Sequence, residues 1–191
     1  MAYGNRFKSG ELDRTTGGPG TSTSEVYTQA VYDLGTVYVQ PADELAAVTD
    51  PFGTVVGNSG VAAATDFPLL SGTRTWVFIQ ATGAIAAGDV VEPAAAGTPF
   101  AGQRCATATA LRGNIIGVAD HAIPLGSFGW VICEGACVVR GVVTGLGDDL
   151  QTNATGQLGT SAFTDSRVVG RALAALGAPF AAHTQIRLFG A

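Results

Sequence analysis

Charge is scarce in this chain. Asp, Glu, Lys and Arg make up only 13 % of its 191 residues, about half the ~25 % of an ordinary globular protein. Ten Lys and Arg stand against 15 Asp and Glu, a net charge of −5. The cations form no cluster, and Arg6, Lys8 and Arg14 near the start are too sparse for a DNA-binding arm. Phosphate contacts need grouped Lys and Arg, so nucleic acid is excluded as a partner. Long apolar runs are missing too. The longest soft stretch, LAALGAPFAA from Leu173, is broken by Gly177 and Pro179 and falls short of the ~20 residues of a membrane helix. The opening MAYGNRFKSGELDR lacks the apolar core of a signal peptide. Together these absences predict a soluble protein made in a cytosol, with no membrane partner.

Cysteine is rare as well. Cys105, Cys133 and Cys137 do not make a disulfide framework. On one strand, Cys133 and Cys137 would share a face ~13 Å apart at ~3.3 Å per residue. That exceeds the ~7 Å Cα separation a disulfide tolerates, so they read as small buried apolar residues. Helix signals are thin. PADELAAVTD, from Pro41, suits one or two turns, and ALAALG, from Ala172, another short helix.

What the chain does have is glycine, 27 residues of it, and β signals. VYDLGTVYVQP and RTWVFIQATGA are β-branched and aromatic runs ending at Pro or Gly. The fold class expected is mainly β: a β-sandwich or small barrel-like lobes, with few short helices. Residues 1–25 differ from the rest. TTGGPGTSTSE has no apolar periodicity and reads as an extended or flexible arm. Scattered aromatics, Tyr3 and Phe7, then Tyr27 and Tyr32 beyond it, would let such an arm order against a neighbour. The organisation expected is an arm over 1–25, an N-terminal β segment over 26–85, and a duplicated β unit over 86–191.

The duplication is read from steps that recur in order, in copies at about 86–139 and 146–191. Gly88-Asp89 matches Gly147-Asp148. Ile115-Ile116-Gly117-Val118-Ala119 matches Val168-Val169-Gly170-Arg171-Ala172. Trp130-Val131-Ile132 is aligned with the strand starting at Gln185. The offsets differ between blocks, which places insertions in loops. Gly supplies positive φ at a tight turn, Asp bonds back to the turn backbone, and the apolar residues after it enter a strand. TWVFIQATGA suggests the end of a worn third copy, which sets Trp76 and Trp130 at equivalent points, each before a Val.

Asp120-His121 is the most tempting catalytic element, with Ser127 and Cys133 near in sequence. A nucleophile needs a His that a carboxylate orients, but neighbours on an extended chain point to opposite faces. The second copy carries Leu173 and Ala174 at these places. His121, Cys133 and Cys137 make too small a set for zinc, which takes about four ligands. Gly147-Asp148-Asp149 could offer calcium two carboxylates but reads more simply as a turn. No GxGxxG opens a helix and no GxxxxGK[ST] occurs. The sequence therefore predicts no catalytic residue, no metal and no cofactor, and no enzyme. A Trp at the head of a strand packs inside or at an interface more often than it stacks on sugar.

The pattern GDVV, IIGVA and LGSFGWV, closed by Gly-Ala, resembles small structural proteins of tailed bacteriophages, among them capsid decoration (cement) proteins. The match runs over roughly Gly83 to Ala191. The resemblance implies a virion structural protein on the outer capsid surface, bound to the major capsid protein and trimeric on local threefold axes. No catalytic residue travels with the pattern, and the Gly-Ser-Thr arm is not part of it. Tyr3, Phe7, Tyr27, Tyr32, Trp76 and Trp130 are the candidate subunit or capsid contacts. The rival readings are a glycan- or receptor-binding module of a head or tail fibre, with Trp76 or Trp130 as a stacking platform, and a hydrolase using His121.

Overall fold

A computed structural model describes residues 26–40, 74–95, 98–142, 147–162, 168–172 and 180–185. Tyr3, Phe7, the arm and the helix expected over 41–50 lie outside these residues. The described chain is mainly β, in eleven strands. They are β1 (Val37–Gln40), β2 (Arg74–Ala81), β3 (Val90–Pro93), β4 (Ala101–Arg104), β5 (Gly117–Ala119), β6 (Phe128–Val139), β7 (Gly141–Val142), β8 (Asp149–Thr152), β9 (Leu158–Thr160), β10 (Gly170–Ala172) and β11 (Phe180–Gln185). Helix among the described residues is limited to a 3-10 turn at Arg112–Asn114. Of the helix expected from Ala172, that residue itself ends β10 and the remainder lies outside.

The pairings close a ring. β2 lies parallel to β4, β4 antiparallel to β3, β3 to β5, and β5 to β6. β6 then returns antiparallel to β2, Phe78 facing Trp130. Five strands thus form a small barrel with β1 laid antiparallel on the outside edge of β2. β2 is the closing strand of this barrel, not the end of a separate third copy. The boundary placed at residues 85 and 86 therefore divides a single ring. Closure depends on a parallel pairing between chain-distant residues, Gln80 with Ala101 and Ala81 with Gly102.

A second ring repeats the first. β6 pairs β11, β11 pairs β10, β10 pairs β8, β8 pairs β9, and β9 lies parallel to β7. β7 follows β6 after Arg140 alone, so the ring closes through the chain itself. β6 is the last strand of the first ring and the first strand of the second. The Gly-Asp turns make the same main-chain bonds in both. Gly88 N–H donates to Ala119 O, and Gly147 N–H to Ala172 O. Ala119 N–H returns to Asp89 O, and Ala172 N–H to Asp148 O. Both glycines hold φ near +80°, at 77° and 83°, a region that costs other residues about 1–2 kcal/mol.

One alignment needs correction. Ala119 faces Val131 in the first ring, and Ala172 faces Ala182 in the second. Ala181, not Gln185, therefore stands where Trp130 stands, a shift of four residues. Nor do Trp76 and Trp130 hold equivalent places. Trp76 lies opposite Ile132, in the strand beside Trp130.

Alternate residues of β2 feed two apolar clusters. Val77, Ile79 and Ala81 join Ile85, Val91, Ile116, Ile123, Val131 and Cys133. Gly102 has no room for a side chain because Val91, Ile79 and Ile116 fill the space beside it. Trp76 and Phe78 join Trp130, Ile132 and Val90 in a larger cluster that continues to Cys137, Val139, Leu150, Leu158 and Val169 of the second ring. Each fully buried large apolar side chain contributes ~1.5–3 kcal/mol. Cys133 and Cys137 lie on one strand but do not share the face expected of them: the register shift between Thr75 and Trp76 in the β2–β6 pairing breaks the alternation, they serve different clusters, and both are free thiols.

The rings are tied at Arg140. Its N–H donates to Gly88 O, and its carbonyl accepts from Leu158 N–H. Its Nη1 lies 3.6 Å from Asp89 Oδ1, while Asp89 Oδ2 accepts from Ala86 N–H at 2.9 Å. Burial raises the Asp89 pKa, and the Ala86 bond and Arg140 work against that rise.

Candidate functional site

Of the aromatic residues singled out by the sequence, Tyr27, Tyr32, Trp76 and Trp130 are brought into one cluster with Phe78 and Phe128 on β2 and β6. Tyr27 enters by an antiparallel bridge to Phe128, with N–H to O bonds of 2.9 and 2.8 Å in the two directions. Its ring meets Tyr32 edge-on at 6.2 Å and Phe78 at 5.9 Å. Tyr32 lies 5.2 Å from both Phe78 and Trp130. Tyr38 of β1 reaches Trp130 at 6.3 Å, and Phe128 stacks on Phe78. Edge-to-face pairs of this kind add ~0.5–1.5 kcal/mol each beyond burial. The Tyr27–Gln40 segment is thus fastened to the barrel by aromatic packing.

Trp76 and Trp130, however, are both 0 % exposed. As candidate contacts they are corrected to core residues. Neither offers a face to a capsid subunit or a sugar in this structure. Tyr27 and Tyr32 are half-buried and keep an outward edge. Arg74 accompanies the cluster, its guanidinium 5.9 Å above the Trp76 ring. Burial lowers its pKa, while Asp120 and then Cys137 raise it.

The sequence missed the outer side of this segment. Val31, Leu34, Val37 and Val39 are four of the six large apolar residues exposed among the described residues. The signal was present in VYV. Residues alternate across a strand, so once Tyr38 faces the barrel both valines must face away.

Asp120 and His121 part company, as adjacent residues on an extended chain do. Asp120 acts electrostatically on Arg74. His121 lies beside Gly129 and Ile123. Both are buried, and neither ring nitrogen of His121 has a hydrogen-bond partner among the described residues. Desolvation lowers the His121 pKa from 6.5 to about 4. The imidazole is therefore neutral at pH 7, and among the described residues no carboxylate bonds to it to orient it.

Between pH 6.5 and about 4 the unfolded chain binds a proton that the folded chain refuses. His121 thus costs nothing above pH 6.5 and lowers stability progressively as pH falls to about 4, by about 3 kcal/mol at 1.36 kcal/mol per pKa unit. Asp89, with its raised pKa, opposes this trend in acid. In His121→Leu the loss of stability over this window, measured by urea denaturation at a series of pH values, is expected to shrink by most of that amount. An unchanged pH profile would show that His121 is already charged or solvated in the folded protein.

The remaining polar candidates are occupied by the scaffold. Cys133 Sγ donates to Thr75 O at 3.2 Å, and Cys105 Sγ to Glu92 Oε2 at 3.3 Å. Burial pushes both thiols up to about 12, which disfavours the thiolate that zinc binding or nucleophilic attack requires. Burial also pushes Glu92 up, but bonds from Ala106 N–H, Thr107, Cys105 and Gln103 outweigh it and hold the carboxyl below its ordinary value. Asp148 Oδ2 accepts from Thr160 Oγ1 at 2.9 Å, and Asp149 lies 3.4 Å from Arg171 Nε. Among the described residues no group of three or more His, Cys, Asp or Glu could hold a metal ion, and no helix is long and apolar enough to cross a membrane.

Fold and surface together define a mainly β scaffold of two strand-sharing barrels carrying an aromatic-anchored N-terminal segment. No protein-family profile and no curated protein matches the chain. Among solved structures it is similar to the head fiber gp8.5 N base of bacteriophage phi29. The two share 18 % sequence identity with a TM-score of 0.44, over 59 % of this chain and 96 % of that one.

Proposed function

We propose that the protein is a non-enzymatic virion structural protein of a tailed bacteriophage, a capsid decoration protein. It binds the major capsid protein shell on its outer surface and stabilises it against internal pressure. The observation that carries this reading is the fate of the resembling blocks. The GDVV turn and the IIGVA step build the repeated main-chain bonds of the barrels, while His121 and Cys133, which follow them, are buried and chemically quiet. A rigid repeated scaffold with its N-terminal segment rooted by Tyr27 suits a protein that works by contact. Repeated copies on a symmetric shell multiply weak contacts through avidity. The fibre-module reading loses support because its stacking platforms, Trp76 and Trp130, are covered.

The test uses shells of the source virus assembled without this protein. The full chain is expected to co-sediment with them to saturation and to raise their disruption temperature. Deletion of residues 1–25 is expected to leave the melting temperature of the protein unchanged but to weaken shell binding at least about tenfold, as loss of one linked contact does. Absence of binding by the full chain would overturn the decoration reading. Undiminished binding after the deletion would remove the arm from it.

A further inference from the structure

Between β4 and the 3-10 turn, residues 105–111 leave the first ring and reach across to the second. Glu92 of β3 holds the near end. Its Oε1 accepts from Ala106 N–H at 3.0 Å, and its Oε2 accepts from Cys105 Sγ at 3.3 Å. Thr152 of β8 holds the far end. Its Oγ1 donates to Thr107 O at 2.9 Å and accepts from Ala110 N–H at 2.8 Å, while its carbonyl accepts from Thr109 N–H at 2.9 Å. Thr152 is buried, and its hydroxyl both donates and accepts.

Apolar packing adds little to these bonds. Ala106, Thr107, Ala108 and Leu111 are exposed, and within 105–111 only Cys105 and Ala110 enter the core. Thr109 holds φ at 56°, the one positive value outside glycine among the described residues. For a β-branched residue this conformation is strained. Such a backbone persists only where its surroundings impose it, and the bonds that impose it converge on Thr152. Segments with strained main chain and few buried apolar contacts open at lower free energy than the fold they lie on.

We propose that residues 105–111 are a strained strap fastening the two rings, with Thr152 as its catch, and that the strap lifts as a unit while both rings stay folded. Release of the catch lets Thr109 return to ordinary backbone angles, so the stored strain favours opening. The rings then remain joined through β6, through Arg140 and through the Val90 N–H bond to Gly156 O, but their mutual angle is no longer fixed at Thr152. Lifting also uncovers Cys105, whose Sγ lies 3.4 Å from Thr107 O inside the strap. The device stands apart from whatever the protein is mounted on.

The test treats the full-length reduced protein with excess N-ethylmaleimide under native conditions and follows each cysteine by mass spectrometry. All three thiols are buried, so each reacts only when the structure over it opens. Cys105 should react faster than Cys133 and Cys137. Thr152→Val keeps the shape and loses the hydroxyl. It should speed Cys105 at least about tenfold and leave the other two unchanged. Thr152→Ser keeps the hydroxyl and should stay within about threefold of the parent. A further variant does not weaken the catch. Asn tolerates left-handed backbone, so Thr109→Asn should slow Cys105 at least about threefold. Cys105 reacting no faster than Cys133 and Cys137, a Thr152→Val effect shared by all three, or a Thr109→Asn rate no lower than the parent's would each overturn the proposal. Should Thr152→Val fail to fold, the parent and Thr109→Asn still decide.

Discussion

Gly141→Ala is expected to lower the stability of the whole protein by at least about 4 kcal/mol, near the upper end for a single substitution. Gly141 opens β7, directly after the Arg140 joint, with φ at +143°. A Cβ there would overlap the Leu158 carbonyl oxygen and crowd Leu158 C and N. Those atoms belong to the β7–β9 pairing that closes the second ring. Main chain held in a ladder cannot step aside as a flexible side chain can. At ~2–4 °C per kcal/mol for a chain of this size, the melting temperature should fall by roughly ten degrees, or the variant should fail to accumulate as folded protein. Gly126→Ala is the matched comparison. Its φ is also positive, at 78°, but nothing lies within 4 Å of the new Cβ. It should cost only the ~1–2 kcal/mol of a left-handed backbone. Equal melting temperatures for the two variants would show that the joint yields easily and that the close approach to Leu158 has little energetic meaning.

Trp130→Ala should cost about 3–5 kcal/mol, as truncation of a buried indole does. Trp130 touches the rings of Tyr32, Tyr38 and Phe78, so its loss empties the centre of the aromatic packing. The segment from Tyr27 to Gln40 should loosen as well, visible as faster amide exchange at Tyr38 than at Val118. Trp130→Phe should cost much less. The ring is kept, and the indole Nε1 forms no hydrogen bond among the described residues to be missed. This outcome also separates the roles proposed for Trp130. A sugar-stacking tryptophan would lose binding and keep stability, whereas a core tryptophan loses stability. A folded Trp130→Ala with an unchanged melt would return Trp130 to the surface candidates.

The turns of this fold were legible in the sequence because their chemistry is local. Gly88-Asp89 and Gly147-Asp148 need a positive φ at the glycine, which both adopt, and Asp89 bonds back to its turn at Ala86 N–H. The placement of the final strand was not legible. Shifting a strand by an even number of residues keeps every side chain on its side, so alternation accepts the alignment of Trp130 with Gln185 as readily as with Ala181. Only the main-chain pairing distinguishes them. The part played by β2 was hidden for a related reason. RTWVFIQA reads as a buried strand wherever it lies, and ring closure is a relation between distant residues. In the candidate site, the residue types were seen and their surroundings were not. Trp76 and Trp130 look the same in sequence whether covered or open, and the valines of β1 look like core until Tyr38 is found to take the face toward the barrel.

The sharing of β6 has a consequence for how this architecture can change. Two barrels in tandem would be modules, each of which could be lost, duplicated or exchanged. Here Phe128–Val139 pairs with β2 and β5 of one ring and with β11 of the other. A break within it leaves both rings open, and neither half is a cassette that recombination could transplant intact. Whatever variation the chain explores must enter by way of its loops and termini.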